Sequence, residues 1–115
     1  MPQGKLAKGI TDQMIQWCQN YLGQNITEVK TDIIRDMIIV SVKGEIPSSE
    51  QHLSREKEGM LLVKDVRRQL IECGLESLDN TFFNLTGSRR VSLHTDVSTK
   101  TGERIFVFKM DRALE

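Results

Sequence analysis

Alternation of apolar and polar side chains constrains this chain more than any other feature. Residues 87–110 read GSRRVSLHTDVSTKTGERIFVFKM. Val91, Leu93, Thr95 and Val97 alternate with Ser92, His94, Asp96 and Ser98, a period of two that fits a strand with one apolar face. After a polar turn over residues 98–102, Ile105, Phe106, Val107 and Phe108 are the β-branched and aromatic types that suit a pleated surface. Gly102 fits the turn position that needs positive φ. The pattern predicts a β-hairpin.

An echo runs over residues 29–44, VKTDIIRDMIIVSVKG. Lys30-Thr31-Asp32-Ile33 matches His94-Thr95-Asp96-Val97. With one residue of slippage, Ile38, Val40 and Val42 match Phe106, Phe108 and Met110. Its turn is shorter, around Arg35-Asp36. The second strand of each hairpin is apolar on both faces: Met37 and Ile39 back the first, Ile105 and Val107 the second. A sheet covered by helices on one side should be polar on the other. Met37, Ile39, Ile105 and Val107, with Ile34, instead mark a face that something covers, and a second copy of the chain is the expected cover.

Helical spacing fills the gaps between the hairpins. Leu6, Ile10, Met14, Trp17, Cys18, Tyr21 and Leu22 form one stripe of a helix over residues 5–22, with Gly23 as its stop. Trp17 and Tyr21, one turn apart, read as core rather than as a stacking site. Ile46-Pro47-Ser48-Ser49 breaks the strand and starts a second helix, with Ser48 or Ser49 as cap and Glu50 at its positive end. Met60, Val63, Val66, Leu70 and Cys73 continue as its buried stripe. Gly59 marks a bend or a close approach, and Gly74 an end. Leu75, Leu78, Phe82 and Leu85 form a further helical segment stopping near Gly87. The expected fold is α+β: helix-strand-strand, broken helix, strand-strand, giving a four-stranded antiparallel sheet with helices on one face and a pseudo-twofold. At 115 residues one domain is expected, residues 1–115, built from units 5–45 and 49–111.

Composition narrows the function classes. Lys plus Arg and Asp plus Glu are 16 each, so the formal net charge is zero, which argues against bulk electrostatic binding of nucleic acid. No run of 18 apolar residues occurs, and the first ten residues hold no long apolar stretch, so neither a membrane span nor a signal peptide is expected. Cys18 and Cys73 read as buried free thiols of a cytoplasmic protein.

Chemistry-bearing residues are sparse. Lys30, Asp32, His94 and Asp96 fall on the free sheet face, and His94 and Asp96, two apart, point the same way. A histidine beside a carboxylate suits a base or a ligand pair, but a metal typically takes three or four ligands. Arg89, Arg90, Lys100 and Arg104 read as a basic edge, most simply solvated. Residues 87–90 lack the spacing of a phosphate loop, and neither cysteine has a histidine beside it in sequence. No catalytic, cofactor or metal site is expected. The candidate ligand or partner surface is Lys30, Asp32, Arg89, Arg90, His94, Asp96, Lys100 and Glu103.

Residues 85–110, LTGSRRVSLHTDVSTKTGERIFVFKM, resemble the MpsC-like family, small bacterial proteins named for a sodium-translocating, membrane-potential-generating system. The similarity extends through Asp36-Met37-Ile38-Ile39-Val40 and the leading helix. Leu-Thr-Gly followed by basic residues, then Thr-Asp and Thr-Gly-Glu-Arg, is specific as a set. The resemblance implies a soluble accessory protein of a membrane-associated ion-transport system, without a carried-over active site; a chain with no span does not translocate sodium by itself. The expectation is a non-catalytic homodimer, cytoplasmic and peripheral to the membrane through a membrane-protein partner. The alternative is a regulatory domain that binds a small molecule or ion on the sheet face and the 98–103 loop.

Overall fold

The chain runs α1 (Gln3–Asn20), β1 (Ile26–Ile34), β2 (Met37–Gly44), α2 (Ser48–Leu53), α3 (Lys57–Thr86), β3 (Arg90–Val97) and β4 (Arg104–Met110). The computed structural model describes residues 3–23, 25–44, 48–98 and 100–114, without the side chains of Gln3, Ser48 and Ser49. The caps expected of Ser48 and Ser49, and the break at Ile46-Pro47, therefore lie outside the described residues.

Both hairpins form where the alternation puts them, and they join through their second strands. The order is β1-β2-β4-β3, with every pairing antiparallel. Ile38, Val40 and Val42 share one face with Phe106, Phe108 and Met110, and all six are buried. Leu6, Ile10 and Met14 from α1, and Ile71, Leu78 and Phe82 from α3, close over that same face into one core. A seam of rings crosses it: Trp17 meets Phe106 edge-on at 6.3 Å, Phe106 stacks with Phe108 at 5.9 Å, and Phe82 meets Phe108 edge-on at 4.9 Å. The result is the expected two-layer α+β domain.

The pseudo-twofold is real in topology but not in the residue match of the outer strands. Its axis passes through the pair Ile39↔Val107, because Ile38↔Phe108 and Val40↔Phe106 flank that pair symmetrically. This equates Ile38 with Phe106 and Val40 with Phe108, as the sequence echo does. On the outer strands, however, Ile39 faces Asp32 and Val107 faces His94. The register thus equates Asp32 with His94, two residues from Asp96. The cause is the turns: β1 and β2 join through Arg35 and Asp36 alone, whereas β3 and β4 join through residues 98–103.

Three glycines are placed by backbone geometry. Gly23 (φ 63°) ends the α1 region, Gly87 (φ 70°) caps α3 with its N–H on the Phe83 carbonyl, and Gly102 (φ 76°) closes the β3–β4 turn onto the Ser98 carbonyl. Arg35, at φ 55°, holds the left-handed conformation without being glycine. Its carbonyl accepts from Leu114 N–H and the neighbouring Asp36 carbonyl from Met110 N–H, both at 2.7 Å, while Lys109 pairs with the Asp36 carboxylate at 2.6 Å. These bonds fix the tight turn against the end of β4.

The structure corrects several expectations along α3. Gly74 does not end the helix, which runs unbroken from Lys57 to Thr86. It is a contact point: a Cβ there would lie 2.5 Å from the Tyr21 ring and 3.0 Å from Trp17. Trp17 donates to the Gly74 carbonyl at 3.3 Å and Tyr21 to the Leu70 carbonyl at 2.8 Å, and the two rings stack at 5.3 Å. Trp17 is buried; Tyr21 is half out. The break falls earlier, at Ser54–Glu56, and Gly59 is the close approach there, since its Cβ would sit 1.8 Å from the Leu53 carbonyl oxygen.

The buried stripe of α3 is Val63, Ile71, Gly74, Leu78 and Phe82, and Val66, Leu70 and Cys73 lie outside it, exposed. Cys73 is therefore an exposed thiol, not a buried one. The expected stripe holds at Val63 but then follows the wrong side through Val66, Leu70 and Cys73, because both faces of this segment carry apolar residues at three- and four-residue spacing. Val91 is also exposed, at 63 %, because a bulge between Arg90 and Ser92 turns it out of the alternation.

Two measurements check this packing. Gly59→Ala should destabilise the protein by about 1–2 kcal/mol in chemical denaturation, the overpacking against Leu53 exceeding the gain in helix propensity. Cys73 should react with a thiol reagent in the native protein. Cys18, whose thiol burial pushes up to about 11, should react more slowly by on the order of 10³ or more.

Candidate functional site

The helix layer leaves the second face of the sheet uncovered, and the register arranges its side chains in rows. The central row runs Asp32, Ile39, Val107, His94 from edge to edge; the next runs Lys30, Ser41, Ile105, Asp96; the third runs Ile34, Met37, Lys109, Ser92. Met37, Ile39, Ile105 and Val107 thus form a half-buried apolar centre, and Ile34 beside them is exposed. The polar residues flank this centre. Because β1 and β3 are opposite edges, Lys30 and Asp32 stand about 14 Å from His94 and Asp96, three interstrand steps away. They do not form one pocket.

Each polar candidate has its own local setting. Lys30 pairs with Glu28 at 3.3 Å, both well exposed. His94 lies 3.4 Å from Ser92 Oγ. Asp96 reaches round the β3 edge: its carboxylate accepts from Val97 N–H at 2.8 Å and pairs with Lys64 of α3 at 3.2 Å, and these contacts hold it below the usual carboxylate range. Arg90 is tied through two bonds to Asp79, at 2.7 and 3.0 Å, and Arg89 lies over the Phe83 ring at 4.6 Å. These contacts anchor the start of β3 to α3. Ser88, buried beside them, donates to Asp111 at 2.6 Å. In the 98–103 loop, Ser98 N–H donates to the Glu103 carbonyl and Glu103 N–H to Thr101 Oγ1. The polar groups of that loop hold the turn, with Lys100 exposed at its tip. Among the described residues no group of three or more His, Cys, Asp and Glu side chains is placed to hold a metal ion.

The sequence reading missed the most unusual side chain, Arg104. Its charge groups it with a solvated basic edge, yet it is 1 % exposed. Period two gave the signal: Arg104, Phe106, Phe108 and Met110 share a face, and that face is the core. Arg104 sits at the end of the inward sheet face, opposite Val42 and Val97. Among the described residues none of its three guanidinium nitrogens has a hydrogen-bond partner, nor does the buried Thr95 hydroxyl on the same face of the adjacent strand. Burial, followed by the nearby positive charge of Arg67, pushes Arg104 down to about 10, so it is still charged at neutral pH. Arg67 itself is satisfied, with two bonds to Glu50 of α2 at 2.8 and 3.0 Å. These groups line or border a cleft of about 260 Å³ between α3 and the β3 edge.

With this two-layer domain and its two distinctive surfaces defined, comparison with known proteins places the chain. It belongs to the MpsC family, whose model, described as a Na+-translocating membrane potential-generating system, matches residues 2–112. A protein of Bacillus subtilis (strain 168), carrying the name uncharacterized protein YbcI, is 43 % identical over 113 residues, covering 98 % of this chain and 91 % of that one. No solved structure matches the chain. Among the described residues no helix is long and apolar enough to cross a membrane.

The Glu50–Arg67 pair keeps two neighbouring guanidinium groups from standing uncompensated in a largely buried setting. Glu50→Gln should cost about 2 kcal/mol in equilibrium unfolding. Adding Arg104→Met should recover roughly half of that loss, because the remaining cation is then alone.

Proposed function

We propose that the protein is a non-catalytic accessory component that works as a homodimer, linked through its family to a Na+-translocating, membrane-potential-generating system. The observation that carries this reading is the apolar centre of the second sheet face. Met37, Ile39, Ile105 and Val107 lie together there, outside the core that the helices close. An apolar face of this kind is an interaction surface by default.

Charge placement favours a second copy of the chain as occupant. A twofold axis parallel to the strands, midway between β2 and β4, lays β1 of one copy over β3 of the other and keeps the rows aligned. Asp32 then faces His94 of the second copy and Ile39 meets Val107, while the Lys30 position falls opposite that of Asp96, whose carboxylate is turned toward Lys64 in the free chain. An axis across the strands through the central row would set Asp32 against Asp32 and bury two like charges side by side. Complementarity selects the first arrangement, which is a four-layer sandwich with helices outside.

In that dimer the outer face of α3 stays open. Leu62, Val66 and Leu70 lie along it at four-residue spacing, each about half exposed. Such a stripe suits helix-to-helix docking with a membrane-protein partner. The protein itself is then cytoplasmic and peripheral. Balanced charge supports a protein partner over nucleic acid.

Light scattering tests the reading. At micromolar concentration the wild type should show twice the chain mass, and Ile39→Asp with Val107→Asp should give a folded monomer. Asp32→Lys should weaken the dimer roughly tenfold, and adding His94→Asp should restore it. A wild type that stays monomeric overturns the proposal.

A further inference from the structure

The geometry points to an oxyanion-binding site in the cleft between α3 and the β3 edge, in which the Arg104 guanidinium grips a phosphate or carboxylate group of a small ligand and the Thr95 hydroxyl donates to it. The inference is independent of the sheet-face dimer and uses the opposite side of the sheet.

Arg104 stands apart from the other cations around this cleft. Lys64 pairs with Asp96, Arg67 with Glu50, and Arg68 with Asp65 and Glu72. Among the described residues Arg104 pairs with no carboxylate. Its nearest aromatic contact, the Phe106 ring at 5.9 Å, is at the outer limit of a cation–π interaction. A guanidinium carries five N–H donors and stays charged when buried, so leaving all of them unmatched in a water-poor site is costly. Buried polar groups without partners are rare in folded proteins, and a bound ion is one of the recognised reasons for one. Here two occur together, on neighbouring strands and on the same face: the Arg104 nitrogens and Thr95 Oγ1.

The chemistry of the lining selects the ligand class. A planar fork suits two-point contact with carboxylate or phosphate oxygens. Arg67 spends Nε and one terminal nitrogen on Glu50, and its other terminal nitrogen is not used in that pair. A second guanidinium close by strengthens the field at the site, the same repulsion that weakens Arg104's hold on its proton. At about 260 Å³ the cleft lies just below the ~300–1,000 Å³ of pockets for drug-sized molecules, so the ligand is inorganic phosphate or a compact phosphorylated or carboxylated metabolite. Occupancy would tie α3 to the edge of the sheet through Arg104, Thr95 and Arg67.

The test uses the full chain in sodium chloride, sodium phosphate and sodium malonate at matched ionic strength, followed by thermal unfolding. Arg104→Met is the control, because general salting effects on stability act equally on both proteins. Wild type should show a rise in Tm with phosphate, malonate or both beyond that of Arg104→Met, growing with the logarithm of concentration above Kd and on the order of 5 °C at tenfold above Kd. Arg104→Met should unfold at or above the wild-type Tm in chloride and lose that extra rise. The anion that gives the extra rise identifies the group recognised. Equal responses of wild type and variant overturn the proposal. If the variant does not fold, the Arg104 Nε–H resonance of the wild type decides. A saturable shift with phosphate or malonate supports the site, and an unmoved resonance overturns it.

Discussion

The ladder between β2 and β4 is the interaction on which the rest of this structure depends. Each strand is the apolar member of its hairpin, and each hairpin alone offers only two strands, too few for independent stability. Pairing Ile38 with Phe108 and Val40 with Phe106 makes one sheet from two hairpins. It also creates the floor on which α1 and α3 meet, and on the other side it brings Ile39 and Val107 together as the middle of the exposed face. Core, pseudo-symmetry and interaction surface all follow from that single pairing.

Period two is readable in residues 29–44 and 92–110, and it delivers the hairpins, the apolar second face and the inward residues other than Arg104, but not the bulge that turns Val91 outward. Helical spacing over residues 57–86 was less decisive. Val63 and Ile71 face the sheet while Val66 and Leu70 face outward, and both sets obey the same three- and four-residue rule. Which side is buried depends on where the sheet lies, a long-range fact. Gly74 misled for a related reason, since a helical glycine reads as a stop unless the rings that press on it, Trp17 and Tyr21, are known to be there. The candidate polar residues were placed on the right face, but strand order separates them, and no local pattern reveals that β1 and β3 are opposite edges.

Arg104 shows how a charged residue is hidden inside an otherwise legible pattern. Its alternation with Phe106 and Phe108 points inward, but charge argues outward, and the second argument is right for most arginines. Burial without a partner is the exception that draws interest. It sits where the two apolar layers run out, at the end of the sheet near the α2–α3 corner, beside another guanidinium already committed to Glu50. The molecule thus has an apolar surface on one side of its sheet and an unmatched cation on the other, two features that serve different kinds of contact.

The sequence order of the central strands has a consequence during synthesis. β2 is made early and needs β4, which follows roughly 60 residues later across the whole of α2, α3 and β3. At ribosomal speeds of about 5–20 residues per second, that interval lasts several seconds. Throughout it, α1, β1 and β2 are present with a strand that is apolar on both faces and open along one edge, the kind of edge that pairs with a neighbouring nascent chain. Chains growing on the same messenger therefore pass through a window in which strand exchange between copies competes with correct closure. A cell making this protein has reason to space its ribosomes or to shield that edge.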